Sequence, residues 1–380
     1  MLDPQGRGLR DALLQAFAAG VDPPADGNAF DALALDVFAY AYHHIPPYRA
    51  YCHARGRDPG AVSSWLDVPA VPTAAFKELP FLADGASAER VFRTSGTTRG
   101  LEQRGEHHVA DLDLYRASLR PTFRAFLLPD DARLPFFSLM PPAARLRSSS
   151  LAFMIDDVAA TFGAPGSAGF ADEPGIDYPA LDRAVEDVAE RDTPVLLLGT
   201  SAAFIHWLDH LAGDGRAFRL PRGSRIMDTG GYKGRGRAVT REELASVYAR
   251  RLGIDPVACV NEYGMTELLS QLYDRGFRDR HRGLRVEDSS GPDGGASPRK
   301  QGPWWLRSTA VDPDTLEPLP AGHSGLLRHF DLANLGTVPA VQTEDFGRVD
   351  AAGLVLTGRA TGAPPRGCSI AMDLLLDAEP

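Results

Sequence analysis

Residues 181–211 read LDRAVEDVAERDTPVLLLGTSAAFIHWLDHL and place an apolar run of strand length between two helical patterns. Leu181 to Glu190 and Ser201 to Leu211 carry apolar residues at helical spacing, whereas PVLLLG (194–199) is too short for a helix. A second run of this kind, LPFFSLM, occupies residues 134–140. Helices that alternate with buried strands predict an α/β domain with a largely parallel sheet.

The regions around this core differ from it in composition. The first ninety residues contain two helical patterns, Leu9 to Phe17 and Phe30 to Tyr42, joined by proline-rich connections. Residues 284–302 are polar and rich in glycine, serine and proline, which predicts a mobile loop. From about residue 303, strand-like runs between turns predict a small β-rich subdomain. We expect a helical N-terminal region packed on the core (1–90), the core itself (91–357) and a short C-terminal segment (358–380).

The composition excludes several classes of function. A chain of 380 residues with 44% hydrophobic and 24% charged residues is typical of a globular protein. The formal charge of −10 disfavours binding to polyanions, so nucleic acid is not an expected partner. No apolar stretch approaches ~18 residues and the N-terminus lacks the pattern of a secretory signal, which together favour a cytoplasmic location. Three cysteines without a CxxC pair (Cys52, Cys259, Cys368) predict neither a disulfide framework nor a zinc site.

The segment VFRTSGTTRG (91–100) leads from a β-prone run into a loop of hydroxyl residues and glycines. Its backbone N–H groups and hydroxyls can surround phosphate oxygens, but no lysine closes it as in a Walker A loop. A solvated turn is the alternative interpretation. Behind the loop, His107 and His108 can donate to a phosphate or cap the following helix. The candidate phosphate-binding residues are Thr94, Ser95, Gly96, Thr97 and Thr98.

The segment ACVNEYGMTELLSQ (258–271) begins as a strand, turns at Gly264 and is expected to continue as a helix. Tyr263 offers a ring to a planar base, and Thr266 offers a hydroxyl to a phosphate at the helix N-terminus. Glu267 offers a carboxylate to Mg²⁺. In the alternative interpretation, Thr266 only caps the helix and Glu267 stabilises its first turn.

Two further segments place polar residues next to strand patterns. VQTEDFGRV (341–349) is expected to end a strand in a turn, where Asp345 can bind both hydroxyls of a ribose. Its Asp-Phe-Gly tripeptide occurs in protein kinases, but the kinase HRD and VAIK motifs are absent. In TGRATGAPPRGCS (357–369), Arg359 follows a strand and Cys368 stands alone. A lone cysteine is more often an inert buried side chain than a nucleophile.

Together these segments resemble the adenylate-forming (ANL) superfamily of acyl-CoA synthetases, luciferases and nonribosomal adenylation domains. TSGTTRG, NEYGMTE, TEDFGRV and the Gly-Arg of TGRATG occur in the order of its phosphate-loop, adenine/magnesium, ribose and hinge motifs. Within it, FKELP around Lys77, DTGGYKGRGR, NEYGMTELLSQLYD and RGCSIAMD are similar to LuxE-type acyl-protein synthetases, over about residues 70 to 375. The resemblance implies a large domain of packed β-sheets flanked by helices, with a small β-rich subdomain and a truncated C-terminal domain.

The resemblance also implies a role for each matching residue. Thr94 to Thr98 would hold the phosphates of ATP, and Gly230 and Gly231 would line the wall near the adenine and the acyl pocket. The other implied assignments are Tyr263 for stacking on adenine, Thr266 for the α-phosphate, Glu267 for Mg²⁺, Asp345 for the ribose, Arg359 for the hinge beside the nucleotide and Cys368 for accepting the acyl group as a thioester.

This sequence departs from the superfamily pattern after the hinge. Typical members continue well beyond the hinge arginine and supply a lysine from a mobile domain, whereas no lysine follows Arg359 here. The cation for adenylation is therefore expected from Lys77, Lys233, Arg99 or Arg104. Lys233, in a glycine-rich segment, is the first candidate, although a surface turn residue is an equally good interpretation.

The function implied by the resemblance is that of an AMP-forming acid–thiol ligase, which activates a fatty or aromatic carboxylic acid with ATP and Mg²⁺. The thiol acceptor is Cys368 in one hypothesis, with onward transfer to a partner reductase or transferase. In the alternatives the acceptor is CoA or a carrier-protein phosphopantetheine, or the chain is a non-catalytic nucleotide-binding scaffold. Arg366 beside Cys368 predicts a lowered thiol pKa. Four apolar residues suit either an acyl pocket or core packing: Met140, Phe153, Phe204 and Trp207.

Overall fold

The computed structural model describes residues 2–94, 104–172, 175–230, 239–284, 298–360 and 364–377. Contacts group the chain into two compact units. Unit 1 comprises Met1–Thr122, Met265–Gln271 and Gln301–Pro380, and unit 2 comprises Phe123–Gly264 and Leu272–Lys300. This grouping follows contacts rather than chain order, and the three-part division expected from the sequence stays a prediction.

Helices and strands both occur throughout the described part of the chain. The α-helices are α1 (Pro4–Ala18), α2 (Ala29–His44), α3 (Pro46–Ala54), α4 (Leu112–Leu127), α5 (Ser150–Phe162), α6 (Tyr178–Glu190), α7 (Ser201–Gly213), α8 (Arg241–Leu252), α9 (Gly276–His281) and α10 (Arg366–Asp377). The strands are β1 (Val71–Pro72), β2 (Arg90–Arg93), β3 (Glu106–Val109), β4 (Phe136–Ser138), β5 (Ala168–Gly169), β6 (Ala171–Asp172), β7 (Gly175–Ile176), β8 (Leu196–Thr200), β9 (Arg225–Thr229), β10 (Cys259–Tyr263), β11 (Leu272–Asp274), β12 (Lys300–Gln301), β13 (Leu306–Val311), β14 (Ser324–Asp331), β15 (Ala340–Asp350) and β16 (Gly353–Arg359). Short 3-10 helices cover Pro59–Ala61, Trp65–Asp67, Thr73–Lys77 and Pro256–Ala258.

Unit 2 is built around the parallel sheet that the sequence predicts. Strands β5, β4, β8, β9 and β10 lie side by side and run parallel, and β11 adds to β10 in the antiparallel direction. The strands of LPFFSLM and PVLLLG and the helices α6 and α7 are confirmed. Phe204 and Trp207 of α7 are fully buried, and Trp207 donates to Asp182 at 2.9 Å, so both belong to the core of unit 2.

Unit 1 contains the N-terminal helices and an antiparallel sheet of β13, β14, β15 and β16, with β1 parallel to β15. Helices α1 and α2 and the β-rich region after residue 303 confirm the predictions. Helix α3 was not predicted, because Pro46 and Pro47 were interpreted as a connection. Proline fits the first turn of a helix, because the N–H groups of that turn have no acceptor within the helix and the missing N–H of proline therefore costs no hydrogen bond.

The segment after β10 differs from its prediction. The helix expected from Gly264 is absent among the described residues; residues 264–271 form turns, and β11 follows. The backbone N–H groups of Leu269 and Ser270 donate to the carboxylate of Asp331 rather than to carbonyls one helical turn earlier. Side chains from another part of unit 1 therefore replace the hydrogen bonds that would have formed a helix.

Two sequence expectations concern residues that the structure covers only in part. Residues 285–297 of the expected mobile loop lie outside the described residues, whereas Lys300 and Gln301 at its end form β12. Within the described part of the chain, no helix is long and apolar enough to cross a membrane.

Candidate active site

Several predicted site residues lie outside the part of the chain that the structure describes. They are Ser95, Gly96, Thr97, Thr98 and Arg99 of the phosphate loop, and Gly231 and Lys233 of the glycine-rich segment.

The base of the candidate phosphate loop is described, and it lies in unit 1. Strands β2 and β3 pair in antiparallel fashion, and Phe92 lies opposite His107. Thr94 closes the loop: its N–H donates to the carbonyl of Gly105, and its Oγ1 accepts from the N–H of Gly105, both at 3.0 Å. Because a Cβ at Gly105 would lie 3.2 Å from Thr94 and 3.4 Å from Phe76, glycine allows this closure to pack tightly.

Glu267 is the centre of a group of charged residues in unit 1. Its side chain is buried, and burial raises the pKa of its carboxyl to about 7. The cations of Arg359 and Lys77 lower that pKa, and the carboxylate of Asp345 raises it. Of the sequence-predicted residues, unit 1 therefore brings Glu267, Asp345 and Arg359 within electrostatic range of one another.

Asp345 and Arg359 lie directly opposite each other on the paired strands β15 and β16. The Nη2 of Arg359 lies 3.1 Å from Glu344 Oε2, and its Nε lies 3.8 Å from Asp345 Oδ1. The turn expected at Asp345 is wrong, because the residue lies inside β15, where the register shifts at Phe346 and Gly347. The extra residue of this irregularity lies on β16, between Leu356 and Gly358.

Cys368 lies in the first turn of α10 and is only 5% exposed. Burial and, to a smaller extent, the charge of Glu344 raise the pKa of its thiol to about 11. The lowered pKa expected from Arg366 is therefore wrong, since burial and a facing carboxylate outweigh a neighbour in sequence. The helix is fixed at this end by Gly367, whose N–H donates to the carbonyl of Pro313 at 2.9 Å.

Gly230 and Tyr263 lie in unit 2, at the carboxyl ends of the adjacent parallel strands β9 and β10. Gly230 has a φ of +92°, which non-glycine residues rarely adopt. Next to them, the hydroxyl of Thr229 donates to the buried carboxylate of Glu262, and burial raises the pKa of that carboxyl to about 7. The carboxyl ends of parallel strands are where open α/β sheets bind ligands.

Beneath this edge, unit 2 contains a buried network that the sequence patterns did not reveal. Asp228 accepts hydrogen bonds from Tyr248 at 2.9 Å, from Arg241 at 3.1 Å and from the amide of Asn261 at 2.8 Å. Lys300 donates to Asn261 Oδ1 and to Asp274 Oδ1, both at 2.7 Å. The sequence did contain a signal for this network. Asp228 lies within the apolar strand RIMDT, and a carboxylate buried in such a strand requires a buried hydrogen-bond or ionic partner.

Two lysines are described, the candidate Lys77 and Lys300, and they differ in what surrounds them. The three hydrogen bonds of the buried Lys300 ammonium to Asn261 and Asp274 account for all its protons. Lys77 is exposed at the end of the 3-10 helix Thr73–Lys77, has no hydrogen bond or ion pair to another described residue, and acts electrostatically on Glu267. Of the two candidates that the structure describes, Lys77 and Arg104, Lys77 is the one whose charge acts on Glu267.

The helix-cap role expected for the two histidines after the loop is wrong, whereas donation to a phosphate stays a prediction. Both lie in strand β3 rather than at a helix cap. His108 pairs with Glu106 at 3.2 Å. His107 is fully buried, and its Nδ1 lies 2.7 Å from the carbonyl oxygen of Thr266.

Comparison with known proteins identifies relatives over most of the chain. The profile of the family described as acyl-protein synthetase, LuxE, matches residues 24–376. The long-chain-fatty-acid–luciferin-component ligase of Vibrio harveyi is 22% identical over 321 residues, which cover 83% of this chain and 78% of that protein.

Solved structures with the same fold include two states of 2-hydroxyisobutyryl-CoA ligase. Its postadenylation state, in complex with 2-HIB-AMP, gives a TM-score of 0.57 at 15% identity and covers 89% of this chain and 72% of the ligase. Its open conformation, in complex with 2-HIB-AMP and CoA, gives a TM-score of 0.55 at 15% identity. The match covers 89% of this chain and 79% of the ligase. This likeness confirms the α/β fold expected from the sequence.

Proposed function

Because the chain belongs to the LuxE acyl-protein synthetase family, we propose that it activates a carboxylic acid with ATP as an acyl-adenylate and passes the acyl group to a thiol. The observation that carries the proposal is the group of Glu267, Asp345, Arg359 and Lys77 in unit 1, which combines two carboxylates and two cations. Carboxylates can hold the ribose and a divalent cation, and cations can neutralise the α-phosphate.

The first step joins two anions, which determines what the site must supply. A carboxylate oxygen attacks the α-phosphorus, the bond to the β-phosphate bridging oxygen breaks, and pyrophosphate leaves. Repulsion between the carboxylate and the triphosphate must be offset by fixed positive charge and N–H donors. In this proposal Thr94 and the loop after it hold the phosphates, Thr266 contacts the α-phosphate, and Lys77 supplies the charge that other members of the superfamily take from a C-terminal lysine.

Glu267 fits the requirement for a magnesium ligand. A carboxyl whose pKa is raised by burial gains most from a nearby dication, which stabilises the ionised form. Among the described residues, no three His, Cys, Asp or Glu side chains form a metal-binding group. Mg²⁺ in nucleotide sites commonly takes one or two carboxylates together with phosphate oxygens. When bound, Mg²⁺ would neutralise phosphate charge at this carboxylate.

The contacts to the base and to the ribose are proposed for each unit by itself. The ring of Tyr263 would stack on adenine, and Gly230 leaves space for a flat ligand at the edge of β9 because it has no side chain. Asp345 would accept from the ribose hydroxyls, with Arg359 beside it.

The second step requires a thiolate to attack the acyl carbonyl while AMP leaves. We propose Cys368 as the acceptor, because it lies in unit 1 beside Glu344, and Glu344 pairs with the nucleotide candidate Arg359. CoA or a carrier-protein phosphopantetheine is the alternative acceptor. A fatty or aromatic acid as substrate, a cytoplasmic location and a downstream reductase or transferase belong to the same proposal.

Acid-dependent exchange of labelled pyrophosphate into ATP, screened over a panel of fatty and aromatic acids, tests the first step. Exchange with at least one acid supports the proposal, and its absence together with no calorimetric binding of ATP and magnesium excludes it, leaving a scaffold at most. Label from the acid that resists denaturation and is released by hydroxylamine then tests the acceptor. Full labelling of Cys368→Ser would assign the thiol elsewhere.

A further inference from the structure

The five residues from Thr266 to Ser270 follow the β10 motif, yet they have no regular secondary structure. A segment of this kind in a buried position must satisfy its backbone polar groups through other partners. In four of these residues a backbone group bonds to a side chain from elsewhere in unit 1, and among the described residues these side chains are His107, Asp331 and Asn334.

Asp331, the last residue of β14, provides the largest share of these contacts. Its fully buried carboxylate accepts from the N–H of Leu269 at 2.9 Å, the N–H of Ser270 at 2.8 Å and the hydroxyl of Ser270 at 2.7 Å. A further bond from the N–H of Ala333 at 3.0 Å fixes the carboxylate itself. A buried carboxylate with four donors is held in one orientation. Its fixed oxygens in turn fix the N–H groups of Leu269 and Ser270.

Asn334 and His107 fix the two residues that carry the proposed chemistry. The amide nitrogen of Asn334 donates to the carbonyl of Glu267 at 2.9 Å, and its oxygen accepts from Leu269 at 3.2 Å. The carbonyl of Thr266 can only accept, so Nδ1 of His107 carries the proton of the 2.7 Å bond. His107 is neutral, because burial lowers its pKa to about 4.

We propose that His107, Asp331 and Asn334 are positioning residues that set the backbone of Thr266 to Ser270 and thereby aim the side chains of Thr266 and Glu267 during adenylation. The inference rests on the proposed function for its catalytic meaning. The hydrogen bonds to the turn stand independently of it. His107 follows the candidate phosphate loop in sequence, so the same strand that ends this loop also fixes the turn.

The test compares variants that differ only in their hydrogen bonds to the turn. Asp331→Asn puts an NH₂ group opposite at least one N–H donor in either orientation of the amide, and His107→Leu removes the donor to Thr266. His107→Asn keeps a donor at a position close to that of Nδ1. Ser308→Ala is the control, because it removes one partly buried hydrogen bond of 2.8 Å, to His329, that does not involve the turn.

Two readouts are collected on the full chain: kcat and KM of pyrophosphate exchange, and hydrogen–deuterium exchange of the peptide covering residues 264–272. We expect Asp331→Asn and His107→Leu to lose roughly tenfold or more in kcat with little change in KM for the acid, since small misplacements of reacting groups are costly. The same variants should lose amide protection in this peptide. His107→Asn and Ser308→Ala should keep both quantities near the wild-type values.

Distinct results separate the inference from the function on which it rests. Loss of amide protection with unchanged kcat would show that the turn needs no positioning and would overturn the inference, as would unchanged protection in Asp331→Asn. If Asp331→Asn fails to fold, the His107→Leu and His107→Asn pair decides. A wild-type protein that exchanges no pyrophosphate with any acid would overturn the proposed function and the catalytic part of this inference together.

Discussion

Glu344 and Arg359 pair across β15 and β16 at 3.1 Å, and the same glutamate faces the buried thiol of Cys368. The negative charge of Glu344 opposes ionisation of that thiol, whereas its pairing with Arg359 partly offsets this charge. The state of this ion pair therefore affects how readily Cys368 can become a nucleophile. Contact of Arg359 with a nucleotide would change the charge that the cysteine experiences.

Replacement of Glu344 by glutamine should make Cys368 more reactive. Removal of the charge lowers the pKa of the thiol from about 11, so more thiolate is present at any pH below that value. The rate of alkylation by iodoacetamide at pH 8 should rise by up to about fivefold, because a partly screened unit charge is worth about 1 kcal/mol. Peptide mapping assigns the modification to Cys368 rather than to the buried Cys52 or Cys259. An unchanged rate would mean that burial alone suppresses the thiol.

Two glycines, one near the start of α10 and one within α1, should respond to replacement by alanine in opposite ways. A Cβ at Gly367 would lie 2.7 Å from Leu316 Cγ and 2.8 Å from the carbonyl oxygen of Pro313, so α10 cannot keep its position. We expect Gly367→Ala to lower the free energy of unfolding by about 1–3 kcal/mol. Gly8 of α1 is exposed with nothing within 4 Å of its Cβ, so Gly8→Ala should raise it by up to about 1 kcal/mol. Chemical denaturation measures both, and equal shifts would contradict the packing argument.

The buried carboxyl of Glu262 predicts how stability depends on pH. Its pKa is about 7 in the folded chain and 4.5 unperturbed, so the folded state binds the proton more tightly. Its contribution to stability therefore falls as pH rises from about 4.5 to 7 and is constant above that range. Glu262→Gln removes this dependence and should be more stable than wild type by up to about 3 kcal/mol at pH 8. At pH 4.5 the two proteins should be nearly equal.

Urea unfolding at pH 4.5, 6 and 8 measures this difference. The control is Glu243→Gln at the exposed capping box of α8, which should show no such rise with pH. A difference between Glu262→Gln and wild type that stays the same at all three pH values would refute the raised pKa.

Local patterns predicted most of the architecture, because the spacing of apolar residues along the sequence indicates helices and buried strands directly. The alternation from LPFFSLM to Ser201 was sufficient to predict the parallel sheet of unit 2. The turn after Gly264 could not be predicted in this way. GMTELLSQ carries the residues of a helix start, but Asp331, which lies 62 residues after Leu269 and 61 after Ser270, accepts the N–H groups that a helix would use.

The candidate site shows the same limit. The motifs identified Glu267, Asp345 and Arg359, and unit 1 brings them within electrostatic range of one another. Their environment depends on contacts that no local pattern records. Sequence adjacency to Arg366 suggested an activated Cys368, whereas burial and Glu344 from a separate strand determine its pKa.

The cation for adenylation provides the last prediction. Lys77 lowers the pKa of Glu267 and has no hydrogen bond or ion pair to any residue that the structure describes. Its neighbour Phe76 packs edge-on against His107, with ring centroids 6.0 Å apart, and His107 bonds to Thr266. The backbone that carries Lys77 is therefore anchored beside the turn that carries Glu267.

Lys77→Met should lower kcat of pyrophosphate exchange by roughly 10²-fold or more, because loss of one preorganised charge that stabilises a transition state has effects of that size. Lys77→Arg should recover a large part of the loss, since arginine keeps the charge but not the geometry of the ammonium. Lys300→Met, which breaks the buried network of unit 2, should instead reduce thermal stability. If Lys77→Met exchanged pyrophosphate at the wild-type rate, the adenylation cation would instead be Lys233 or an arginine of the phosphate loop. Lys233→Met, measured in the same assay, would then distinguish between these two.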